Sequence, residues 1–509
     1  MLVSLRSFTS EYVLRTFHGF KNNKILRRFA STIYSLSSGF GKSGVAVIRV
    51  SGPEAKTAAE KLGGSLPKPR YASLRKFRHP LTNDVLDNGI LLWFPGPKSF
   101  TGEDCCEFQV HGGPAVISSV LDALGKINGL RPAEQGEFTK RAFYSGKLDL
   151  TSVEGLADLI NAETENQRKQ AIIQMEGALF DLYNDWTKTL TKCLANLEAY
   201  IDFDEDQNLE NTLMADTDKK LNDLKTSIKN HLQDGRKGER LRSGVSVTII
   251  GAPNVGKSSL LNILSRQPTA IVSPIPGTTR DLIKTNIDIN GYPVNINDTA
   301  GLRGFTEDLI EVEGMARAKR AAEQSDLLIL VLDGKELLSW LRKDNLTPNA
   351  DSLYYYIDSL NIFEDIKSYL SINKDEIVSS QNKQVMIIVN KIDLITEEEA
   401  ALSKLKFICG ISCKNKTGLQ KLIKGLSKNL ESLCGSPNRL SPTFTQARHR
   451  FCLQECLDAL EKFSNYSISE VDLAAQEIRN ALYSLGKITG HVTTEDILEV
   501  IFKDFCIGK

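Results

Sequence analysis

Cysteine is sparse and unpatterned in this chain. Nine cysteines in 509 residues, an odd number with no CxxC pair, exclude a disulfide scaffold, argue against structural zinc and point to a reducing compartment. Long apolar runs are missing too. Every one falls far short of the ~18 residues that would suggest a bilayer span, so no integral membrane segment is expected. An excess of either charge is also absent, since 63 Lys and Arg balance 63 Asp and Glu. Zero net charge excludes a protein held on nucleic acid or an acidic membrane by bulk positive charge alone. With 41% hydrophobic and 25% charged residues the chain is neither disordered nor fibrous. At roughly 150 residues per domain, its length leaves room for about three domains.

Residues 1–30 carry Arg6, Arg15, Lys21, Lys24, Arg27 and Arg28 against the single acid Glu11. Leu2, Leu5, Val13, Leu14 and Phe17 can share one face of a helix. A basic, Ser-containing, acid-poor amphipathic start reads as a mitochondrial transit peptide, with Arg28-Phe-Ala30 suited to processing before Ser31.

The middle of the chain carries phosphate chemistry. Ser246-Val-Thr-Ile-Ile250 reads as a buried strand, and Gly251-Ala-Pro-Asn254-Val255-Gly256-Lys257-Ser258-Ser259 follows directly, with a helix expected from near Ser258. Glycines let backbone N–H groups curl around phosphates, and the helix N-terminus adds partial positive charge. Lys257 is expected at the β- and γ-phosphates and the Ser258 hydroxyl on Mg²⁺. Asp298-Thr299-Ala300-Gly301 closes the alternating run Val294–Asn297, which puts Asp298 at a strand end where it can hold the magnesium shell through water. The Gly301 N–H can sense the γ-phosphate. Thr278 and Thr279 lie between the two motifs, and Thr279 is the candidate second Mg²⁺ hydroxyl. After another apolar strand, Val385–Val389, come Asn390-Lys391-Ile392-Asp393. The Asp393 carboxylate can accept hydrogen bonds from guanine N1–H and the exocyclic amine, a donor pair that adenine lacks. Ser412-Cys413-Lys414 suits backbone contact with the base. Four motifs in this order specify GTP.

Leu302 follows Gly301, where many switch GTPases have a glutamine that orients water. Leucine cannot accept a hydrogen bond, so another group must act, and Glu307, Asp308, Glu311 and Glu313 supply acids nearby. Asn254 together with Ser273-Pro-Ile-Pro-Gly-Thr278 suggests an oxygen-lined pocket beside the phosphates. A monovalent cation there would neutralise developing charge.

Three further stretches are more restrictive: Phe100-Thr-Gly-Glu-Asp104 leading into Glu107 and His111-Gly-Gly-Pro114; Gly136–Phe143 with Gly146-Lys147-Leu-Asp-Leu150; and the end Phe505-Cys506-Ile507-Gly508-Lys509. With the nucleotide motifs, they make the chain closely resemble the MnmE/TrmE family of tRNA-modification GTPases in its mitochondrial form, over residues 31–509. The resemblance implies a multidomain α/β plus α fold: an N-terminal α/β folate-binding and dimerisation domain, a helical domain, and an inserted Ras-like P-loop GTPase domain of the TrmE-Era class. Transferred to this chain, the boundaries are 1–30 for the transit peptide, 31–148 for the N-terminal domain, 149–240 and 434–509 for the helical domain, and 241–433 for the GTPase domain.

The resemblance also implies cofactors and partners. A tetrahydrofolate, 5-formyl or 5,10-methylene, falls on Arg49, Glu107, Lys147 and Lys509. K⁺ falls on Asn254, Ser273, the Ile275 carbonyl and Thr278, and Mg²⁺ on Ser258 and Thr279. Glu311 falls at the catalytic acid and Cys506 at the cysteine implicated in the modification chemistry. The implied partners are a second copy of the chain, an FAD-dependent MnmG/GidA-type protein in a heterotetramer, and mitochondrial tRNA. Together they install an aminomethyl-type group, carboxymethylaminomethyl or taurinomethyl, on C5 of the wobble uridine, in the matrix or at the inner-membrane surface. Gln135 stands where the family usually has proline and Ser145 where asparagine is common, and the stretch from Asp298 to Gly314 is one residue longer than expected.

The charges also make sense without the family. A folate tail needs cationic partners and a pterin ring suits a carboxylate. Phe502, Phe505 and Ile507 suggest a C-terminal tail tied down by packing. Cys105, Cys106, His449, Cys452 and Cys456 read as packing. Apolar residues from Met175 through Leu179, Leu182, Trp186, Leu190, Leu194 and Leu197 to Ile201 argue for one long amphipathic helix over 171–201. Phe451–Phe463 and Val471–Leu485 continue the helical pattern. Asp234–Gly244 and Cys434–Pro442 read as linkers on either side of the GTPase segment, and 334–383 as an enlarged insertion with no assigned role. The alternative is an Era-like GTPase acting in mitochondrial ribosome assembly, which should carry a basic RNA-binding module that this sequence does not show.

Overall fold

The computed structural model describes residues 31–202, 207–265, 284–297, 319–343, 346–360, 370–373, 376–379, 383–395, 408–467, 470–492, 495–503 and 505–509. The expected transit peptide lies outside these residues. So do Ser273, Ile275, Thr278, Thr279, Asp298, Thr299, Ala300, Gly301, Leu302 and Glu311. Two compact units form, one from residues up to Ala157 with Gln174–Thr226 and Phe451–Lys509, the other from Asp158–Ile173 and Ser227–Arg450.

The first unit contains a six-stranded sheet of β1 (Thr32–Leu36), β2 (Ser43–Ser51), β3 (Ser73–Arg78), β4 (Val85–Phe94), β5 (Cys105–Gly112) and β6 (Leu130–Pro132), in the order β3-β4-β5-β2-β1-β6. All neighbours are antiparallel except β1 and β6. Alternation decides which side chains enter the core. Ala46, Ile48 and Val50 of β2, with Cys106, Phe108 and Val110 of β5, pack under the helices Ala55–Gly63 and Pro114–Gly125. Arg49 and Glu107 alternate with these residues and project from the opposite face. A separate cluster joins Leu150 and Val153 to Leu498, Ile501, Phe502 and Phe505.

The helices over 165–202 correct one expectation. Residues 171–201 are not one helix but the end of Glu165–Met175 and then Ala178–Asp202. Gly177 interrupts them at φ 89°, a left-handed value that suits glycine and ends a helix. The apolar stripe survives from Leu179 through Tyr183, Trp186, Leu190 and Leu197, all buried. Ala178–Asp202 packs along Val471–Thr489.

The second unit holds β7 (Val245–Ile250), β8 (Lys284–Ile289), β9 (Tyr292–Asn297), β10 (Leu327–Asp333), the hairpin β11 (Leu370–Asn373) and β12 (Glu376–Ser379), β13 (Gln384–Asn390) and β14 (Ile408–Gly410). Its main sheet runs β14-β13-β10-β7-β9-β8, parallel except for β8 against β9. Every residue of β10 is buried, as expected of a strand covered on both faces. Helices Lys257–Ser265 and Leu419–Cys434 line one face, and Gly334–Lys343 and Ala350–Ser359 the other. The stretch 334–383 therefore supplies two of the helices that cover this face of the sheet.

A second correction concerns Asp234–Gly244. Its charges and glycines read as a linker, yet Lys237–Ser243 is a helix with Leu241 in the core. Arg240 pairs with Asp326 at 2.8 Å, and Glu239 with Arg450 at 2.9 Å. A Cβ on Gly238 would lie 2.3 Å from the Phe444 carbonyl oxygen, so this glycine permits close packing where flexibility was expected.

Candidate functional site

The ends of β7, β10, β13 and the segment after β14 meet at one edge of the second unit's sheet, the edge where doubly wound sheets bind ligands. The loop after β7 turns through Gly251 at φ 152°, Asn254 at φ 62° and Gly256 at φ 103°. Cβ atoms at Gly251 and Gly256 would meet the Val331 carbonyl oxygen at 2.3 Å and Asn390 Nδ2 at 2.2 Å, so only glycine fits. The helix starts at Lys257, one residue earlier than expected. Lys257 Nζ donates to the carbonyls of Gly251 and Ala252 at 2.9 and 2.7 Å, which folds the cation over its own loop. Val255 is buried, while Asn254, Ser258 and Ser259 are exposed at the loop and the first turn.

Asn390 ties three of the motifs together. Its Nδ2 donates to the Val255 carbonyl at 2.8 Å, and its Oδ1 accepts the Cys413 N–H at 3.1 Å. Ser412, fully buried, donates to Asp393 Oδ1 at 2.5 Å and accepts the Asn415 N–H at 3.1 Å. This leaves Asp393 half-buried at the rim of the cradle, oriented before any base arrives. Burial raises the Cys413 thiol above its usual range, against the hydrogen bond from Asn390 and with the push of Asp393. Lys414 is exposed beside it. One participant escaped the sequence reading: Asp333, at the end of β10, takes Lys391 Nζ at 2.5 Å. The only sequence signal was an acid closing an apolar run.

A second polar cluster occupies the open face of the first unit's sheet. Arg49 and Glu107 are register partners on β2 and β5, and Arg49 Nε donates to Glu107 Oε1 at 2.9 Å. The guanidinium lies 5.1 Å from the Phe100 ring centre and 5.8 Å from that of Phe138. The C-terminal tail arrives beside them. Burial, then the charge of Arg49, lowers the Lys509 ammonium from its usual value, with Glu107 and Cys506 opposing. The tail is pinned by backbone more than by apolar contact. Gln135 and Ile507 form an antiparallel bridge, Ser37 Oγ donates to the Gly508 carbonyl at 2.9 Å, and Phe502 and Phe505 are buried. Ile507, expected to pack, is 57% exposed, and Cys506 is exposed as well.

Lys147 is exposed beside Gly102, in the loop that carries Phe100. Ser145 ties that loop to its helix by donating to the Thr101 carbonyl at 2.7 Å. Beneath the cluster lies a network the sequence reading did not assemble. Arg141, 1% exposed in its side chain, pairs with Glu103 and Glu137, both at 2.9 Å, and Arg131 grips Glu137 at 2.5 Å. Burial alone would raise Glu137, but the bonds from Arg131, the Glu134 N–H and Arg141 bring it below the usual carboxylate value. The Glu137 and Arg141 spacing on one helix was a visible signal; the partner Glu103 was not. No group of three potential metal-ligating side chains occurs among the described residues, and Cys105, Cys106, His449, Cys452 and Cys456 are buried.

Known proteins resemble both clusters' surroundings. A model of the GTP-binding protein TrmE N-terminus matches residues 32–147, and one of the MnmE helical domain matches residues 150–506. A Danio rerio protein named 5-taurinomethyluridine-tRNA synthase subunit GTPB3, mitochondrial, is 51% identical over 94% of this chain and 93% of its own. The Homo sapiens protein of that name is 46% identical over the same shares. A Rickettsia bellii protein named tRNA modification GTPase MnmE is 42% identical over 94% of this chain and 100% of its own.

Proposed function

The chain belongs to the MnmE/TrmE family, and from that premise we propose that it is a mitochondrial GTPase that modifies C5 of the wobble uridine of mitochondrial tRNAs, with taurinomethyl uridine as the product. Hydrolysis of GTP is the family's activity. The tRNA substrate and the organelle come from the relatives' names. The observation that carries the nucleotide reading is Asn390, whose amide joins the phosphate loop to the base-contact loop while Ser412 holds Asp393. A guanine donating to Asp393 meets a carboxylate already oriented, whereas adenine would leave it unsatisfied, at about 1–3 kcal/mol.

The described residues of the two clusters support a bound nucleotide and a reduced folate. Gly251 and Gly256 let the phosphate loop close against Val331 and Asn390, Lys257 needs only to leave two carbonyls to reach a phosphate, and Ser258 is exposed in the first turn of the helix. We assign Mg²⁺ to Ser258 and Thr279, K⁺ to Asn254, Ser273, Ile275 and Thr278, and water activation to Glu311. In the other unit Arg49, Lys509 and Lys147 are assigned to the glutamate tail of a reduced folate, and Glu107 to its ring donors. Phe100 and Phe138 flank the site. Such a folate, when bound, supplies a one-carbon unit. Two copies of the chain acting with an FAD-dependent MnmG/GidA-type partner complete the assembly.

Mass spectrometry of wobble nucleosides from mitochondrial tRNAs tests the whole reading. Cells lacking this protein should lose the C5-substituted uridine and regain it with the intact chain. Unchanged wobble uridines would refute it and favour a role in ribosome assembly.

A further inference from the structure

The buried carboxylate that ends β10 belongs to none of the nucleotide motifs. Asp333 is 4% exposed, and its two oxygens serve different partners. Oδ2 accepts from Lys391 Nζ at 2.5 Å. Oδ1 accepts the N–H of Lys335 at 2.9 Å and that of Glu336 at 3.4 Å, which caps the helix Gly334–Lys343. The two strands lie in register, with Asp333 opposite Asn390, so the carboxylate sits one position from the residue it grips.

Lys391 needs that grip. Its backbone is left-handed at φ 64°, a conformation that a residue with a Cβ adopts only at a free-energy cost. It also begins the 3-10 turn Ile392–Leu394, which carries Asp393. The direction of the Asp393 carboxylate is thus set by two anchors. Ser412 holds its oxygen, and the turn beneath it holds its backbone. Relaxation of Lys391 to an ordinary φ would tilt the turn and move Asp393 away from Ser412.

We infer that Asp333 is a positioning residue for guanine selection. By holding the Lys391 ammonium it keeps that residue left-handed and so sets the angle at which Asp393 meets the base. The same carboxylate caps the first helix of the 334–383 segment, so a shift of that helix is felt at the base-reading turn. The inference rests on the assignment of Asp393 to base recognition.

The discriminating measurement is the ratio of GDP to IDP affinity in the full chain, because hypoxanthine lacks the exocyclic amine of guanine. Asp333→Asn removes the charge, and Asp333→Ser does so while keeping an oxygen suited to capping, so one variant stands in if the other fails to fold. Either should lower the GDP:IDP preference about fivefold, the factor expected from releasing a left-handed residue. In a Lys391→Gly background, where the left-handed conformation costs nothing, Asp333→Asn should lower the ratio no further. A purely structural role would weaken both nucleotides together and leave the ratio unchanged. That result, or an equal drop in the glycine background, overturns the inference. Asp393→Asn serves as the control: if it keeps the wild-type ratio, the assignment of Asp393 has failed instead.

Discussion

Replacement of Gly508 by alanine should release the last residues of the chain without unfolding anything else. Gly508 sits at φ 103°, and a Cβ there would lie 2.0 Å from the Leu36 carbonyl oxygen, which belongs to β1 and cannot give way cheaply. The backbone cost for a non-glycine residue is about 1–3 kcal/mol. Displacement would also break the hydrogen bond from Ser37, worth about 0.5–1.5 kcal/mol. Together these amount to about 1.5–4.5 kcal/mol, from about tenfold to about a thousandfold in the docking equilibrium of the tail. The Gln135–Ile507 bridge opposes that shift, but Cys506 and Ile507 are exposed and the buried anchors Phe502 and Phe505 lie upstream. Hydrogen exchange should therefore show protection lost at residues 506–509 and retained in the helix Glu495–Lys503. Calorimetry with 5-formyl-tetrahydrofolate should show affinity at least ~10-fold weaker, as Lys509 leaves Arg49 and Glu107. Deletion of Lys509 alone should weaken folate binding while Gly508 stays docked. An alanine variant whose tail stays protected and whose folate affinity is unchanged would refute the reasoning.

The network below that site yields two more expectations. Arg141→Met takes the guanidinium from Glu103 and leaves Arg131 as the one arginine on Glu137, and breaking a buried ion pair typically costs about 3–5 kcal/mol. Hydrogen exchange over residues 32–147 should report the loss, since a chain of two compact units need not unfold in one step, and wild-type protection would contradict it. The pH dependence follows from Glu137, whose folded value is lowered by Arg131, the Glu134 N–H and Arg141 against the opposing effect of burial. A lowered carboxylate contributes stability that is present above the unfolded value and disappears as pH falls through the folded one. Glu137→Gln should therefore lower stability near neutrality and flatten its decline in acid; an equally steep acid decline in the variant would count against this assignment.

Legibility followed distance along the chain. The phosphate loop could be read because strand, glycines, lysine and helix start fall within about twenty consecutive residues, and the structure puts them together as written. Asn390 and Asp393 were identifiable by type, yet the contacts from Asn390 to Val255 and Cys413 were not, since these cross 135 and 23 residues. Asp234–Gly244 misled because charge and glycine usually mark solvated linkers, whereas here Asp234, Arg236, Glu239, Arg240 and Arg242 all pair and Gly238 admits the Phe444 backbone. The long helix misled because an apolar stripe does not report one glycine's φ.

Family, fold class and nucleotide type were determined by sequence alone, because each rests on short segments whose geometry is local: a glycine turn, a strand end, an alternating run. Assembly of Arg49, Glu107 and Lys509, and the grip of Asp333 on Lys391, were decided only in three dimensions. Ser37 and Gly508 are 471 positions apart, and no periodicity or spacing encodes a contact made by folding a chain's end back onto its first strands.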